Sequence, residues 1–248
     1  MQNDIVEIAL VADLHGNFPA TLALEKDLRN RNIDKIYCLG DAVGKGPSNA
    51  DTYDWVMDHC QLYLMGNWEE GIGKKLYPKD NFYYDQLGEK RMKSLLELPL
   101  EHELTLSGRK IRLLHGRPIM EKLLFIDDDA NDLFALFQNN AYQVVGYADT
   151  HRQGMRVVGH GGLLLNTGSV GNSFGVNMVQ YAILKGSLHD ENAPLDINLV
   201  TLPYDREQAV LDAKNTPTLP FVDAYIYEIQ TGKYGRKNIN NPASKKVF

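Results

Sequence analysis

Seven side chains able to hold a metal ion recur in this 248-residue chain at one kind of place. They are Asp13 and His15, Asp41, Asn67, His115, and Asp149 with His151. Each follows a short apolar run that reads as a strand: residues 5–12, 35–39, 61–65, 110–114 and 143–147. Ligand sites of open α/β sheets lie beyond the carboxyl ends of the strands, where loops aim several side chains at one point while the sheet holds them rigid. Oxygen and imidazole donors together suit manganese, iron or zinc better than magnesium or calcium alone.

The elements that must position these residues follow from periodicity and punctuation. Between the first three runs lie two helical patterns, 19–30 with Leu22, Leu24 and Leu28, and 48–58 behind a capping Ser48. Pro19 suits a first helical turn. The opening third is therefore β-α-β-α-β, which implies a parallel sheet. Residues 69–100 turn polar and helix-like, with Tyr77, Phe82, Tyr83, Tyr84 and Leu87 interspersed, and read as a small helical cap inserted in the domain. Strands at 102–106 and 110–114 follow, joined by Ser107-Gly108-Arg109 as a tight turn. A helix is expected over 128–139, with Leu133, Phe134, Leu136 and Phe137 facing the core. Further strands are expected at 155–158, 163–166, 178–184 and 197–201, with turns at Gly161-Gly162 and 187–192, then helices at 205–214 and 219–229. No repeat or linker interrupts the pattern, so residues 1–248 read as a single domain of two sheets flanked by helices.

The strings around the candidate ligands are Asp13-Leu14-His15-Gly16-Asn17, Gly40-Asp41-Ala42-Val43-Gly44, Gly66-Asn67-Trp68-Glu69, His115-Gly116 and Ala148-Asp149-Thr150-His151. In this order they resemble the calcineurin-like metallophosphoesterase family, in its bacterial branch of small phosphodiesterases. Gly44-Lys45-Gly46-Pro47 and Asn166-Thr167-Gly168-Ser169-Val170-Gly171 resemble that branch too. A lone Asp-x-His or Gly-Asp is a weak signal, whereas five such strings in order, each at a strand end, are a specific one. The resemblance implies an α/β fold, a four-layer α-β-β-α sandwich of two mixed sheets, and a two-metal site. It implies that Asp13, His15, Asp41 and His151 hold the first ion, and that Asp41 bridges to the second, which Asn67 and His115 also bind. A bridging carboxylate makes physical sense, because two cations roughly 3.5–4 Å apart repel unless an anion lies between them. The implied reaction is hydrolysis of a phosphodiester or phosphoanhydride bond by a metal-bridging hydroxide, with Asp41 and Asn67 in catalytic roles. Small phosphorylated substrates are implied, nucleotides and dinucleoside polyphosphates such as diadenosine tetraphosphate among them. A phosphomonoesterase or protein phosphatase, and an inactive metal-binding scaffold, stand as alternatives on the same residues.

Two positions depart from the family pattern. Trp68 stands where the family usually has a histidine, and an indole N–H donates a hydrogen bond but is no general acid at neutral pH. That departure favours substrates whose leaving group needs little help, such as a nucleotide leaving from a polyphosphate. At position 149 the family normally has another histidine. Asp149 is expected to bind the second ion in its place and to shift preference toward manganese or iron(II).

Asn17 is expected to hydrogen-bond the transferred phosphate, and Arg117 and Arg152, which directly follow motif residues, to pair with it. Lys45 reads foremost as a solvated loop charge. His160 reads as a hairpin-turn residue near the metal motif, His59 and His102 as structural, the aromatics from Tyr77 to Tyr84 as helix packing, Asp127 to Asp129 as a helix acidic cap, and Cys38 as a core residue. Lys and Arg number 26 against 32 Asp and Glu, a net charge of −6, which disfavours long nucleic acids and anionic membranes. Two cysteines cannot build a disulfide framework or a cysteine-based zinc site. No run approaches the roughly 18 apolar residues of a membrane span, and residues 1–4 carry no signal-peptide pattern, so a cytoplasmic location is expected. Walker A, Gly-x-Ser-x-Gly and Rossmann glycine strings are absent, which argues against P-loop, serine-hydrolase and dinucleotide chemistry.

Overall fold

Along β1 (Ile5–Val11), Ile8 and Leu10 join one apolar cluster and Ala9 and Val11 another, because successive side chains of a strand leave opposite faces. All four are fully buried, so this strand is covered on both sides. The computed structural model describes residues 5–76, 81–159 and 162–236; Tyr77, His160 and Gly161 lie outside them.

The first sheet has the order β10 (Asp196–Leu202), β9 (Val179–Ser187), β1, β2 (Ile36–Cys38), β3 (Leu62–Tyr63). β1, β2 and β3 are parallel, with Leu10 opposite Tyr37 and Cys38 opposite Tyr63, while β9 runs antiparallel to both β1 and β10. Helices α1 (Phe18–Arg31) and α2 (Asn49–His59) make the two crossovers, as the β-α-β-α-β reading requires. The second sheet has the order β4 (Glu101–Leu106), β5 (Arg109–Leu114), β6 (Val144–Tyr147), β8 (Gly162–Asn166), β7 (Gly154–Val158). Its centre β5-β6-β8 is parallel, and β4 and β7 close the edges antiparallel.

Between the sheets, Ile8, Leu10, Leu39 and Leu64 pack with Leu106, Ile111, Leu113 and Leu165. The outer face of the first sheet is covered by α1, α2, α4 (Asn81–Leu95), α6 (Arg206–Lys214) and α7 (Val222–Thr231), which supply Leu24, Val56, Tyr83, Val210 and Tyr225. The second sheet is covered by α5 (Ala130–Phe134) and the 3-10 turn Ala135–Phe137, through Leu133, Leu136 and Phe137. This is the α-β-β-α sandwich of two mixed sheets. Among the described residues no helix is long and apolar enough to cross a membrane.

Some local expectations are corrected. The helix expected over 128–139 is the short α5 followed by a 3-10 turn, and Gln138, Asn139 and Asn140 end it with left-handed φ of 46°, 56° and 67°. Asparagine tolerates that conformation at small cost. β2 and β3 are three and two residues long, shorter than their apolar runs, because the chain turns away toward the candidate ligands. Within 69–100, α3 (Asn67–Gly73) is followed by α4, which breaks at Gly88 with φ 70°. Tyr83, Leu87, Met92 and Leu95 of α4 join the cluster that holds α1 and α2. Tyr83 is fully buried edge-on to Trp68, in line with helix packing.

Candidate metal centre

The parallel strands of both sheets deliver their carboxyl ends to one place. Asp13 and His15 follow β1, Asp41 follows β2, and Asn67 opens α3 after β3. From the second sheet, His115 follows β5 and Asp149 and His151 follow β6. The backbone leaves ordinary strand geometry at these points: φ is 56° at Asp13, 49° at His15, 55° at Asp41, 69° at Asp149 and 58° at His151. A left-handed non-glycine residue costs of order 1–3 kcal/mol and persists only where its surroundings over-determine it. Here they do so by hydrogen bonds: Asp13 N–H donates to Gly40 O at 3.0 Å, His15 N–H to Asp41 O at 3.1 Å, and Gly171 N–H to Asp13 O at 2.9 Å.

Two groups of side chains converge, Asp13 with His15 and His151, and Asp13 with Asp41 and His115; within each, the candidate ligand atoms lie within 4.8 Å of one another. His15 Nε2 and His151 Nε2 approach Asp13 Oδ1 at 3.4 and 3.3 Å, and His115 Nε2 and His15 Nε2 approach Asp41 Oδ2 at 3.3 and 3.7 Å. All five residues are buried. Each histidine turns its other nitrogen to a backbone carbonyl: Nδ1 of His15 to Val43 O at 3.1 Å, of His115 to Leu39 O at 2.8 Å, and of His151 to Asn172 O at 2.6 Å. A carbonyl only accepts, so Nδ1 carries the proton and the Nε2 lone pair faces inward, the arrangement typical of metal-binding histidines. Nε2 of His15 and of His151 then meet at 3.1 Å, two lone pairs that need a cation or proton between them.

Both carboxylate oxygens of Asp13, Oδ1 of Asn67 and Nε2 of His115 are buried without a hydrogen-bond partner among the described residues. Buried polar atoms left in that state are costly unless paired or metallated. Electrostatics point the same way. Burial opposes a charged imidazole at His115, yet the carboxylates of Asp41, Asp13 and Asp149 push it up to about 10. Burial opposes the Asp13 carboxylate too, yet the imidazoles that face it, His151 foremost, hold it well below the usual carboxylate range. The pocket draws positive charge into itself, and the residues present fit a divalent metal.

Three further residues complete the site, and of these Glu69 and Asn172 had no role assigned from the sequence. Glu69, fully buried, accepts hydrogen bonds from the backbone N–H of Asp41 at 2.7 Å, Ala42 at 2.8 Å and Gly66 at 2.8 Å, and from Tyr63 Oη at 2.8 Å. Burial and the nearby Asp41 charge push its carboxyl up to about 7. It ties the loop that bears Asp41 to the start of α3. Its signal was its place three residues after Gly66, where a glutamate reaches back to the helix N-cap. Lys45 is buried rather than solvated: Nζ donates to Asn172 Oδ1 at 2.8 Å and lies 3.5 Å from His151 Nε2. Burial draws it down to about 8. Asn172 in turn donates to Glu228 of α7 at 3.1 Å. No local pattern announces a contact across 56 residues of chain.

Of the expected substrate contacts, Asn17 has its amide engaged within the fold. Its Oδ1 accepts from Ala20 N–H at 3.2 Å as the N-cap of α1, and its Nδ2 donates to Gly171 O at 2.7 Å and Tyr204 Oη at 3.3 Å. Both ends of the amide are committed to the scaffold. Arg152 lies over the Phe125 ring at 5.4 Å. Arg117 pairs with Asp149, and Asp149 falls outside both converging groups. Trp68 donates its backbone N–H to Asp41 Oδ1 at 2.9 Å and sets its ring edge-on to His15 at 5.9 Å. Gly44, with φ 87°, gives the indole room: a Cβ there would lie 2.2 Å from Trp68 Cε3.

The sequence matches the calcineurin-like phosphoesterase superfamily domain over residues 6–187, most of its length, and the chain belongs to that superfamily. It is 28% identical over 226 residues to an uncharacterized protein of Methanocaldococcus jannaschii, a match covering 82% of this chain and 89% of that one. A metallophosphoesterase from Sphaerobacter thermophilus superposes with a TM-score of 0.71 at 19% identity, over 92% of this chain and 99% of the other. A hypothetical protein from Pyrococcus horikoshii does so with a TM-score of 0.71 at 20% identity, over 91% and 99%. At such identities the likeness is one of fold. The domain match ends at Ser187, so β10, α6 and α7 lie beyond it.

Proposed function

We propose that this chain hydrolyses phosphodiester or phosphoanhydride bonds in small phosphorylated substrates, with two divalent ions, manganese or iron foremost and zinc as a further option. In this reading Asp13, His15, Asp41 and His151 hold one ion, and Asp41, Asn67 and His115 the other. One observation carries it: three inward-facing Nε2 atoms converge on two buried carboxylates, around Asp13, Asn67 and His115 atoms that have no hydrogen-bond partner among the described residues.

When bound, such ions supply Lewis-acid activation of water and neutralise charge on the phosphoryl oxygens. The remaining work falls to the chain itself. Val43, Leu39 and Asn172 carbonyls hold the three imidazoles in one tautomer and orientation. Asp41 Oδ2 faces both His15 and His115, which suits a shared carboxylate. Lys45, held by Asn172, adds a positive charge beside His151, and Arg117 adds another beside Asp149; both favour an anionic substrate. Trp68 offers no titratable proton to a leaving group, which supports substrates that depart as stable anions, dinucleoside polyphosphates among them.

A substrate panel run with manganese, iron(II), cobalt and zinc tests the reading. Dinucleoside polyphosphates and bis-p-nitrophenyl phosphate are expected to turn over faster than p-nitrophenyl phosphate. Asp41→Asn is expected to abolish turnover and to lower bound metal. A wide preference for the monoester would make the protein a phosphomonoesterase. No turnover by metal-loaded protein on any substrate would leave a scaffold.

A further inference from the structure

Asp149 stands where the family pattern has a ligand histidine, and its carboxylate is already engaged. Oδ1 accepts from Arg117 Nη2 at 2.6 Å, and Oδ2 accepts from Arg117 Nε at 2.8 Å and from the Arg117 backbone N–H at 3.1 Å. The Asp149 side chain is 4% exposed and that of Arg117 is 39% exposed, so the pair runs from the buried centre to its rim. Among the described residues Asp149 joins neither converging group, and its Oδ1 lies 3.9 Å from His115 Nε2. The backbone is shaped to the pair. Asp149 sits at φ 69° and Gly116 at φ 139°, and a Cβ on Gly116 would come within 2.8 Å of Asp149 Cβ and 2.9 Å of its Oδ2.

We propose that Asp149 is a positioning residue: it holds the Arg117 guanidinium at the rim of the metal centre as a clamp for a phosphoryl oxygen of the substrate, and does not bind the second ion. The inference rests on the hydrolase reading above. A carboxylate that accepts all its bonds from one arginine must break a charge-assisted fork before it coordinates a metal, and breaking an ion pair whose carboxylate is buried is unfavourable. The fork fixes the plane of the guanidinium, so the cation that meets the substrate is pre-oriented. Charge is conserved as well. The ion pair sums to zero, as a neutral histidine does, so the replacement extends the positive rim of the pocket and leaves the charge around the ions unchanged.

The test compares wild type with Asp149→Asn, Arg117→Ala, Arg117→Lys and the Asp149→Asn/Arg117→Ala double variant, each reconstituted with manganese. Metal per chain is read by mass spectrometry, and affinity for inorganic phosphate by its inhibition of bis-ester hydrolysis. Every variant is expected to carry the wild-type metal content. Phosphate affinity is expected to fall about tenfold in both Asp149→Asn and Arg117→Ala, with no further fall in the double variant and no rescue by lysine. Loss of metal in Asp149→Asn, with full metal in Arg117→Ala, would make Asp149 a ligand and overturn the proposal. Wild-type phosphate affinity in Arg117→Ala would overturn it too, and this variant decides alone if Asp149→Asn does not fold. A wild type that takes up no metal defeats the hydrolase reading first, and the clamp with it.

Discussion

Glu69 shows how much of the centre depends on a residue that touches none of its candidate ligand atoms. One carboxylate satisfies three backbone N–H groups and a tyrosine hydroxyl, all buried. Each donor left unsatisfied costs about 1–3 kcal/mol. Glu69→Ala is therefore expected to destabilise the fold by at least about 3 kcal/mol in urea unfolding, and to lower metal content as the Asp41 loop loosens. Asn17 makes the opposite case. Its amide caps α1 and braces Gly171, so Asn17→Ala should cost about 1–2 kcal/mol of stability while KM stays within about twofold of wild type. A KM rise well beyond that, with stability intact, would return Asn17 to the substrate. The residue types of the centre were legible in the sequence because carboxylate and imidazole at strand ends have a recognisable chemistry. Lys45 was not, and Glu69 showed only its local tie to Gly66, since their other partners come from distant parts of the chain.

At the scale of elements, the loop between β8 and β9 seals the carboxyl end of β1. Ser169 Oγ and Gly171 N–H both donate to Asp13 O, and a Cβ on Gly171 would lie 1.9 Å from the Leu14 carbonyl oxygen. Gly171→Ala is expected to push this loop off β1 and to lower both the melting temperature and the bound metal. Equal metal content in that variant would show that the loop does not set the position of Asp13. The α2–α4 contact behaves differently. Arg91 grips Asp54 at 2.6 Å, and its hydrogen bond holds the Asp54 carboxyl below the usual range. A folded-state value below the unfolded one stabilises at neutral pH and is lost as pH falls through the folded value. The pair is partly exposed, so Arg91→Met should cost under about 1 kcal/mol at pH 7 and less in acid, read by urea unfolding at both pH values. The order of strands and helices could be read from alternation and punctuation. The end of α5 could not, because Gln138, Asn139 and Asn140 choose a left-handed backbone that periodicity does not report.

For the whole molecule, the decisive fact is that each converging group draws on both sheets. Asp13 and His15 come from the first and His151 from the second; Asp13 and Asp41 come from the first and His115 from the second. Metal binding and sheet packing are then thermodynamically linked. Manganese at about 100 times its Kd should add about 2.7 kcal/mol to stability, raising Tm by about 5–10 °C over protein in chelator, as calorimetry would record. No shift would place the ions outside the sheet interface.

The sequence by itself determined the kinds of donor, their order, their place at strand ends and the two-sheet fold, because these depend on residue type and short-range periodicity. Only the tertiary structure decided which donors meet. It tied each Nδ1 to a carbonyl, buried Lys45 beside His151, committed Asn17 to a helix cap and engaged Asp149 with Arg117. Those outcomes depend on the packing of two sheets whose strands are far apart along the chain. A carboxylate next to a candidate ligand reads alike in sequence whether it faces a metal or an arginine, and the difference is made by which of them the folded backbone brings within reach.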